Sequence, residues 1–270
     1  MFFLLACAAL GVGAADWTPH PADGVEMHLS REGDANRLDV DFHGHGGYAI
    51  ARAQVNLDLP ANYQIVFRIR GDAPAENLEL KLIEPGGENV WWKNRRNFEF
   101  PREWTPLKTK KRQIEFAWGP KHSENLTHVE SIEIVVTAGS GGRGTVWFTD
   151  PIVEPLPVIA DVPIPFSTSK IDLGMKRELG GLVIHWKTRP RDFAVLLDGV
   201  RQNVMKTSRF VWLPDAEART VTIQGGLVGD VIVEPPSWAP TENDFWSNVA
   251  KDAPRGAYPR YLVGEQSYWT

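Results

Sequence analysis

An alternation of apolar and polar residues with a period of two constrains this 270-residue chain more than any other feature. Leu38, Val40 and Phe42 are separated by Asp39 and Asp41, and Ile65, Phe67 and Ile69 by Val66 and Arg68. Leu78, Leu80 and Leu82 flank Glu79 and Lys81, and Ile132 and Ile134 flank Glu133. Side chains of a strand point alternately to its two faces, so each run reads as a strand with one buried face. Turn-forming clusters fall between the runs: Gly44-His45-Gly46-Gly47, Pro60-Ala61-Asn62, Pro85-Gly86-Gly87 and Gly139-Ser140-Gly141-Gly142. Closely spaced strands without a long helical period predict an all-β fold of antiparallel β-sandwich, jelly-roll type. With 43% hydrophobic and 23% charged residues the chain is no disordered polymer. Its net charge of -5 argues against a general nucleic-acid binder, which must neutralise phosphates.

Proline and glycine punctuation divides the chain further. Glu154-Pro155-Leu156-Pro157 to Pro163-Ile164-Pro165 reads as a linker, because proline fixes φ and gives no ladder donor. The expected organisation is a leader over 1–15, a jelly roll over 16–155 and a Pro-rich linker over 156–166. A smaller β-sandwich over 167–236 and an extension over 237–270 follow, the latter with a short helix from Asn243 to Ala250. Met1 to Ala15 is apolar and ends in small residues, the pattern of a secretory signal cleaved near Ala15, with a buried N-terminal strand as the competing reading. That predicts a secreted or periplasmic protein; lipid anchoring at Cys7, the single cysteine, is the lesser alternative. No other stretch approaches the ~20 apolar residues of a membrane span. The aromatic run Tyr258, Tyr261, Tyr268 and Trp269 suggests continuation into a longer protein.

One register conflict stands out. Lys108, Lys110 and Arg112 share the parity of Ile114, Phe116 and Trp118, so one straight strand would mix charges and apolar groups on one face. A bend or bulge over Lys111 to Gln113 resolves it.

Signals for catalysis are absent: no Gly-x-Ser-x-Gly elbow, no His-Glu-x-x-His and no Gly-rich phosphate loop. The segment Asn89-Val90-Trp91-Trp92-Lys93-Asn94-Arg95-Arg96 carries more information. Adjacent indoles on a strand face opposite ways, so one of Trp91 and Trp92 enters the core and the other faces out. An outward indole suits stacking on a sugar ring, with Lys93, Arg95 and Arg96 as donors to hydroxyls or carboxylates and Trp118 as a second wall. The competing reading has Arg95 or Arg96 simply covering the ring by cation–π contact. His43 and His45 form a His-x-His pair within a glycine turn, a weak metal signal. Asp150 closes the last strand of the first region, and with Asp23 or Glu26 it supplies the oxygen ligands that calcium prefers.

Three stretches of the first region carry a resemblance: Tyr63 to Gly71, Asn89 to Trp104, and Gly144-Thr145-Val146-Trp147-Phe148-Thr149-Asp150. On these, residues from about Asp23 to Glu154 resemble the galactose-binding-like carbohydrate-binding modules of bacterial glycoside hydrolases. The resemblance implies a structural calcium held by Asp150 together with Asp23 and Glu26. Ile171-Asp172-Leu173-Gly174, Glu178 to Trp186 and Asp198-Gly199 make residues from about Ser167 to Pro236 similar to a reduced coagulation-factor-5/8 type C, or discoidin, domain. Together they imply non-catalytic polysaccharide binding, as the targeting part of a larger secreted glycan-degrading enzyme with a downstream catalytic domain. The alternatives are an adhesion module for protein or cell surface, and an enzyme whose chemistry lies on this chain.

Overall fold

The structure is a computed structural model that describes residues 10–11, 16–120, 125–203 and 209–241. The helix expected from Asn243 to Ala250 lies outside the described residues, as does all of the leader except Leu10 and Gly11. The chain divides into two compact units, Met1–Val158 and Ile159–Thr270.

The first unit contains β1 (Leu10–Gly11), β2 (Trp17–Pro21), β3 (Glu26–Glu32), β4 (Ala35–Asp41), β5 (Tyr48–Asp58), β6 (Tyr63–Asp72) and β7 (Glu76–Ile83). It continues with β8 (Val90–Phe98), β9 (Thr105–Lys110), β10 (Glu115–Trp118), β11 (His128–Thr137), β12 (Arg143–Thr149) and β13 (Ile152–Pro155). Two antiparallel sheets result. One is seven-stranded, β1-β13-β6-β12-β4-β3 with β9 on the far side of β6; the other is six-stranded, β10-β8-β7-β11-β5-β2. The expected β-sandwich is therefore present. Its core takes the apolar parity of both sheets: Leu38, Ile65, Phe67, Ile69 and Phe148 from one, Leu78, Leu80, Leu82, Ile132 and Ile134 from the other. Pro19, Pro21 and Pro106 sit in β2 and β9, edge strands where a missing N–H costs no ladder bond. The two residues of β1 pair with Ile152 and Val153 on the open edge of β13.

The parity conflict around Lys111 is resolved by a change of sheet. Residues Lys111–Gln113 form one 3-10 turn. Before it, β9 pairs with β6 in the seven-stranded sheet; after it, β10 pairs with β8 in the six-stranded one. Lys108 therefore faces out from one sheet while Ile114 is buried between the two.

The second unit contains β14 (Ile164–Phe166), β15 (Lys170–Thr188), β16 (Ala194–Leu197), β17 (Val200–Arg201), β18 (Phe210–Gln224) and β19 (Leu227–Glu234). They form one six-stranded sheet, β14-β19-β15-β18-β16-β17, where a two-sheet domain was expected. The runs Ser169 to Leu173 and Gly181 to Trp186, expected as separate strands, are both parts of β15, and β18 likewise merges two runs. Register shifts between Asp172 and Arg177, and between Leu179 and Gly181, keep the ladder continuous where the alternation is broken. One apolar cluster contains both Ile171 and Ile184. Thirteen residues of straight strand would hold them roughly 40 Å apart, so the sheet bends around its own interior. The Pro-rich linker is also shorter than expected, because Ile164–Phe166 pairs with β19 as an edge strand that tolerates Pro165. Asp198 and Gly199 have φ of 47° and 82° and connect β16 to β17. Local turn chemistry of type I′ accounts for this dipeptide.

Candidate functional site

The orientation of the two adjacent indoles follows from register. In the β7–β8 ladder Trp91 lies opposite Leu82 and Trp92 opposite Lys81. Leu82 is a fully buried core residue, so Trp91 points inward with it. Its ring packs edge to face on Phe116 at 5.4 Å, and its Nε1 donates to Glu84 Oε1 at 3.2 Å. Trp92 points outward and meets Trp118 edge to face, centroids 5.7 Å apart at 84°. Trp118 is 47% exposed.

A polar row continues across the outer face of the six-stranded sheet. Glu115, Trp92, Lys81, Glu133, Arg52 and Thr18 are successive cross-strand partners. Arg52 pairs with Glu133 at 2.6 Å and Lys81 with Glu79 at 3.1 Å. The Lys81 ammonium also sits 5.2 Å from the Trp118 ring centroid. Asn94 Nδ2 and Thr137 Oγ1 both donate to Glu79 Oε1. Glu79 and Glu133 are buried, yet each faces a cation, which offsets the cost of desolvating a carboxylate.

Three basic residues expected beside the outward indole divide between the two sides. Arg96 is exposed, but Lys93 and Arg95 share the inward parity of Trp91 because they lie opposite Leu80 and Leu78. The Arg95 guanidinium crosses between the sheets, donating through Nη2 to Lys108 O at 3.2 Å and Thr109 Oγ1 at 2.9 Å. Burial holds its pKa below the ordinary arginine value. Arg95 therefore ties sheet to sheet, and the cation covering an outer indole is Lys81.

The calcium ligands expected at Asp23, Glu26 and Asp150 do not converge. Glu26 lies opposite Asp41, Glu32 opposite Ala35, and Ala35 opposite Thr149. Asp150 thus sits beside the β3–β4 turn, while Glu26 starts β3 six residues away, roughly 20 Å along the strand. Asp23 is exposed in the turn before β3. At Asp150 an arginine takes the place expected for a cation: Arg31 Nη1 lies 3.0 Å from both carboxylate oxygens. Trp17 Nε1 and Asn36 Nδ2 donate to Oδ1 at 2.7 and 2.9 Å. Glu26 gathers instead with Asp41 and His43, their ligand atoms within 4.8 Å of one another. His43 stands 3.7 Å from Glu26 and 3.5 Å from Asp41, a mutual pairing of exposed and half-exposed groups.

The outer face of the seven-stranded sheet holds an arrangement that sequence reading missed. Trp147 lies between Arg37 and Arg70 in register, and Trp104, the residue before β9, also stacks on Arg70. Guanidinium carbons stand over ring centroids in an alternating stack: Arg37 and Arg70 on Trp147 at 5.5 and 4.6 Å, Arg70 and Arg68 on Trp104 at 5.1 and 5.4 Å. Arg37 is anchored by Glu32 at 2.9 Å and Asp39 at 3.0 Å, and Trp147 Nε1 donates to Glu32 at 3.0 Å. Hydrogen bonds from Arg37 and Trp147 hold the Glu32 carboxyl below its ordinary value. Burial pushes Asp39 up, but hydrogen bonds from Arg37 and Thr145 outweigh it and leave that carboxyl lowered too. The available sequence signal was parity: Arg68 and Arg70 flank buried Ile69, and Trp147 adjoins buried Phe148. Between the sheets, a cavity of about 240 Å3 is lined by Tyr63, Trp91, Ile114 and Leu126 with Asn62 and Lys111.

No protein-family model matches the sequence, and no curated protein matches it. Among solved structures, the chain is similar to the family 11 carbohydrate-binding module of the cellulosomal cellulase Lic26A-Cel5E of Clostridium thermocellum. The identity is 13% and the TM-score 0.44, over 56% of this chain and 96% of the module. A structure of the family 11 module from Clostridium thermocellum in complex with a β-1,3-1,4-mixed-linked tetrasaccharide matches at 12% identity and TM-score 0.43, over 54% of this chain and 94% of that one. An exo-β-agarase matches at 12% identity and TM-score 0.40, over 56% of this chain and 25% of the agarase.

Proposed function

We propose that the outer face of the six-stranded sheet is a non-catalytic carbohydrate-binding surface. The Trp92–Trp118 pair carries this reading: two indoles on an outward strand face, one of them 47% exposed. An indole offers a flat apolar surface to the C–H face of a sugar, and ~100 Å2 lost in such a stack is worth ~2–3 kcal/mol. Beside it, Lys81, Glu133 and Arg52 are fixed by ion pairs and offer donors and acceptors to hydroxyls. Two stacks barely offset an association cost of ~4–15 kcal/mol, so affinity falls in the roughly micromolar to millimolar range. Glycoside cleavage needs two carboxyl groups free to act as acid and as base or nucleophile. Glu79 and Glu133 are each engaged by a cation, which supports binding without cleavage.

The wider role follows as part of the same proposal. The chain is exported by the leader ending near Ala15 and directs a larger glycan-degrading enzyme to its polysaccharide. The mass of the mature protein tests the cleavage. The binding reading is tested by calorimetry and pull-down on a panel of neutral polysaccharides. The expected result is retention on at least one polysaccharide, weakened in Trp118→Ala with an unchanged melting temperature. Failure to bind any of them, or equal affinity in the variant, overturns it; retention on immobilised protein instead favours adhesion.

A further inference from the structure

We propose a second ligand site on the outer face of the seven-stranded sheet, centred on Arg70, for the carboxylate or sulfate group of an acidic glycan. It is separate from the Trp92–Trp118 surface and rests on the carbohydrate reading only for the kind of chain that bears the anion.

The charged groups on this face pair with one another and leave one arginine over. Glu32 and Asp39 are taken by Arg37, Asp34 by Arg68 at 3.0 Å, and Asp72 by Arg102. Arg70 is left over. Among the described residues no carboxylate lies within ion-pair distance of it and no acceptor bonds its guanidinium. Its Nε is buried with no partner. What holds it is the pair of indoles, at 4.6 and 5.1 Å.

A guanidinium stacked between two rings spends its faces on the stack. Its N–H groups lie in the plane of the fork, and the two Nη groups, which unlike Nε are not buried, match the two oxygens of a carboxylate or sulfate. A partly desolvated cation without a counter-charge is costly, and ring quadrupoles supply only part of the compensation. The stack also fixes the fork in advance, so little rotamer freedom remains to be lost when an anion arrives. The indole faces are already occupied by arginines, which makes recognition here a matter of charge and hydrogen bonding. Lys108 extends the site: it is exposed on the same face opposite Val66, four residues along β6 from Arg70, roughly 13 Å away. No ion pair engages it among the described residues. Two separated cations suit a chain with repeated negative groups.

The test is a titration of the whole protein with a short oligogalacturonate, a sulfated galactan oligosaccharide and the neutral galactan oligosaccharide at one ionic strength. Indole N–H signals of Trp104 and Trp147 and calorimetric affinity are followed together. At least one anionic probe is expected to move both signals while the neutral probe moves neither, and which probe binds identifies the headgroup. Arg70→Gln is expected to weaken that binding by roughly tenfold or more, as loss of two charge-assisted hydrogen bonds requires. Arg70→Lys, which keeps the charge and loses the fork, is expected to weaken it similarly and serves if the glutamine variant fails to fold. Trp92→Ala leaves it unchanged. Undisturbed indole signals with both anions, wild-type affinity in the Arg70 variants, or equal binding by a DNA strand of matched charge overturns the proposal. Loss of neutral-polysaccharide binding in Trp118→Ala reports on the other face alone, so the two readings fail separately.

Discussion

Each sheet of the first unit carries two tryptophans on its outer side, yet the two faces offer opposite chemistry. On the six-stranded sheet Trp92 and Trp118 meet edge to face, with a single lysine over Trp118. On the seven-stranded sheet Trp147 and Trp104 each contact two guanidinium groups. The first pair keeps apolar ring surface for a partner; the second spends it internally and leaves one guanidinium without an acid. An outward tryptophan is therefore no binding signal in itself. What stands over its ring decides, and in a sheet that neighbour comes from strands distant in sequence.

Five measurements test this contrast. The largest effect is expected from Trp91→Ala. This inward indole fills core volume, so its loss costs ~3–5 kcal/mol of folding free energy. Chemical denaturation measures it, and a change below 1 kcal/mol, far under that ~3–5 kcal/mol, would show that Trp91 is not the core member of the pair. Asp150→Ala comes next. Asp150 joins Trp17 of one sheet to Arg31 and Asn36 of the other, and removing it leaves donors without an acceptor, about 2–3 kcal/mol. Because Arg31 stands where a cation would, the wild-type melting temperature is expected to be the same in EDTA and in calcium. A calcium-dependent rise would restore a metal to Asp150. Trp118→Ala is expected to weaken polysaccharide binding by ~2 kcal/mol with little change in stability.

The smallest effect is one of pH on the arginine face. Glu32 and Asp39 titrate below their ordinary values of 4.5 and 3.8. Depressed carboxyls stabilise the fold above those values, and the contribution is lost as pH falls through the folded-state values. Acidification below the ordinary carboxylate range is expected to move the Trp147 indole signal as Glu32 and Asp39 take up protons. A Trp147 signal that stays in place there would mean that the carboxylates do not anchor the stack.

The expected calcium triad and the missed arginine stack fail for one physical reason. Alternation assigns a residue to a face but carries no information on which strand lies beside it. Asp150 and Glu26 both lie near strand ends in sequence, but the register of β3 against β4 puts them at opposite ends of a strand. Arg37, Arg70, Trp104 and Trp147 are spread over more than a hundred residues of sequence and become neighbours only when β4, β12, β6 and β9 lie side by side. The misreading of Arg95 is of the same kind: parity with Trp91 was legible, but the inward direction was supplied by Leu78 across the ladder.

Local sequence settles the period-two strands, the turns between them, the opposite facing of Trp91 and Trp92, and the break over Lys111 to Gln113. These depend on φ, ψ and side-chain direction within a few residues, where local sterics and hydrophobicity suffice. Strand pairing settles which indole is inside, that the break transfers the chain between sheets, that the second unit is one bent sheet, and which cation meets which ring or acid. Those are properties of strand order and register, fixed by the joint burial of many distant side chains rather than by any one segment.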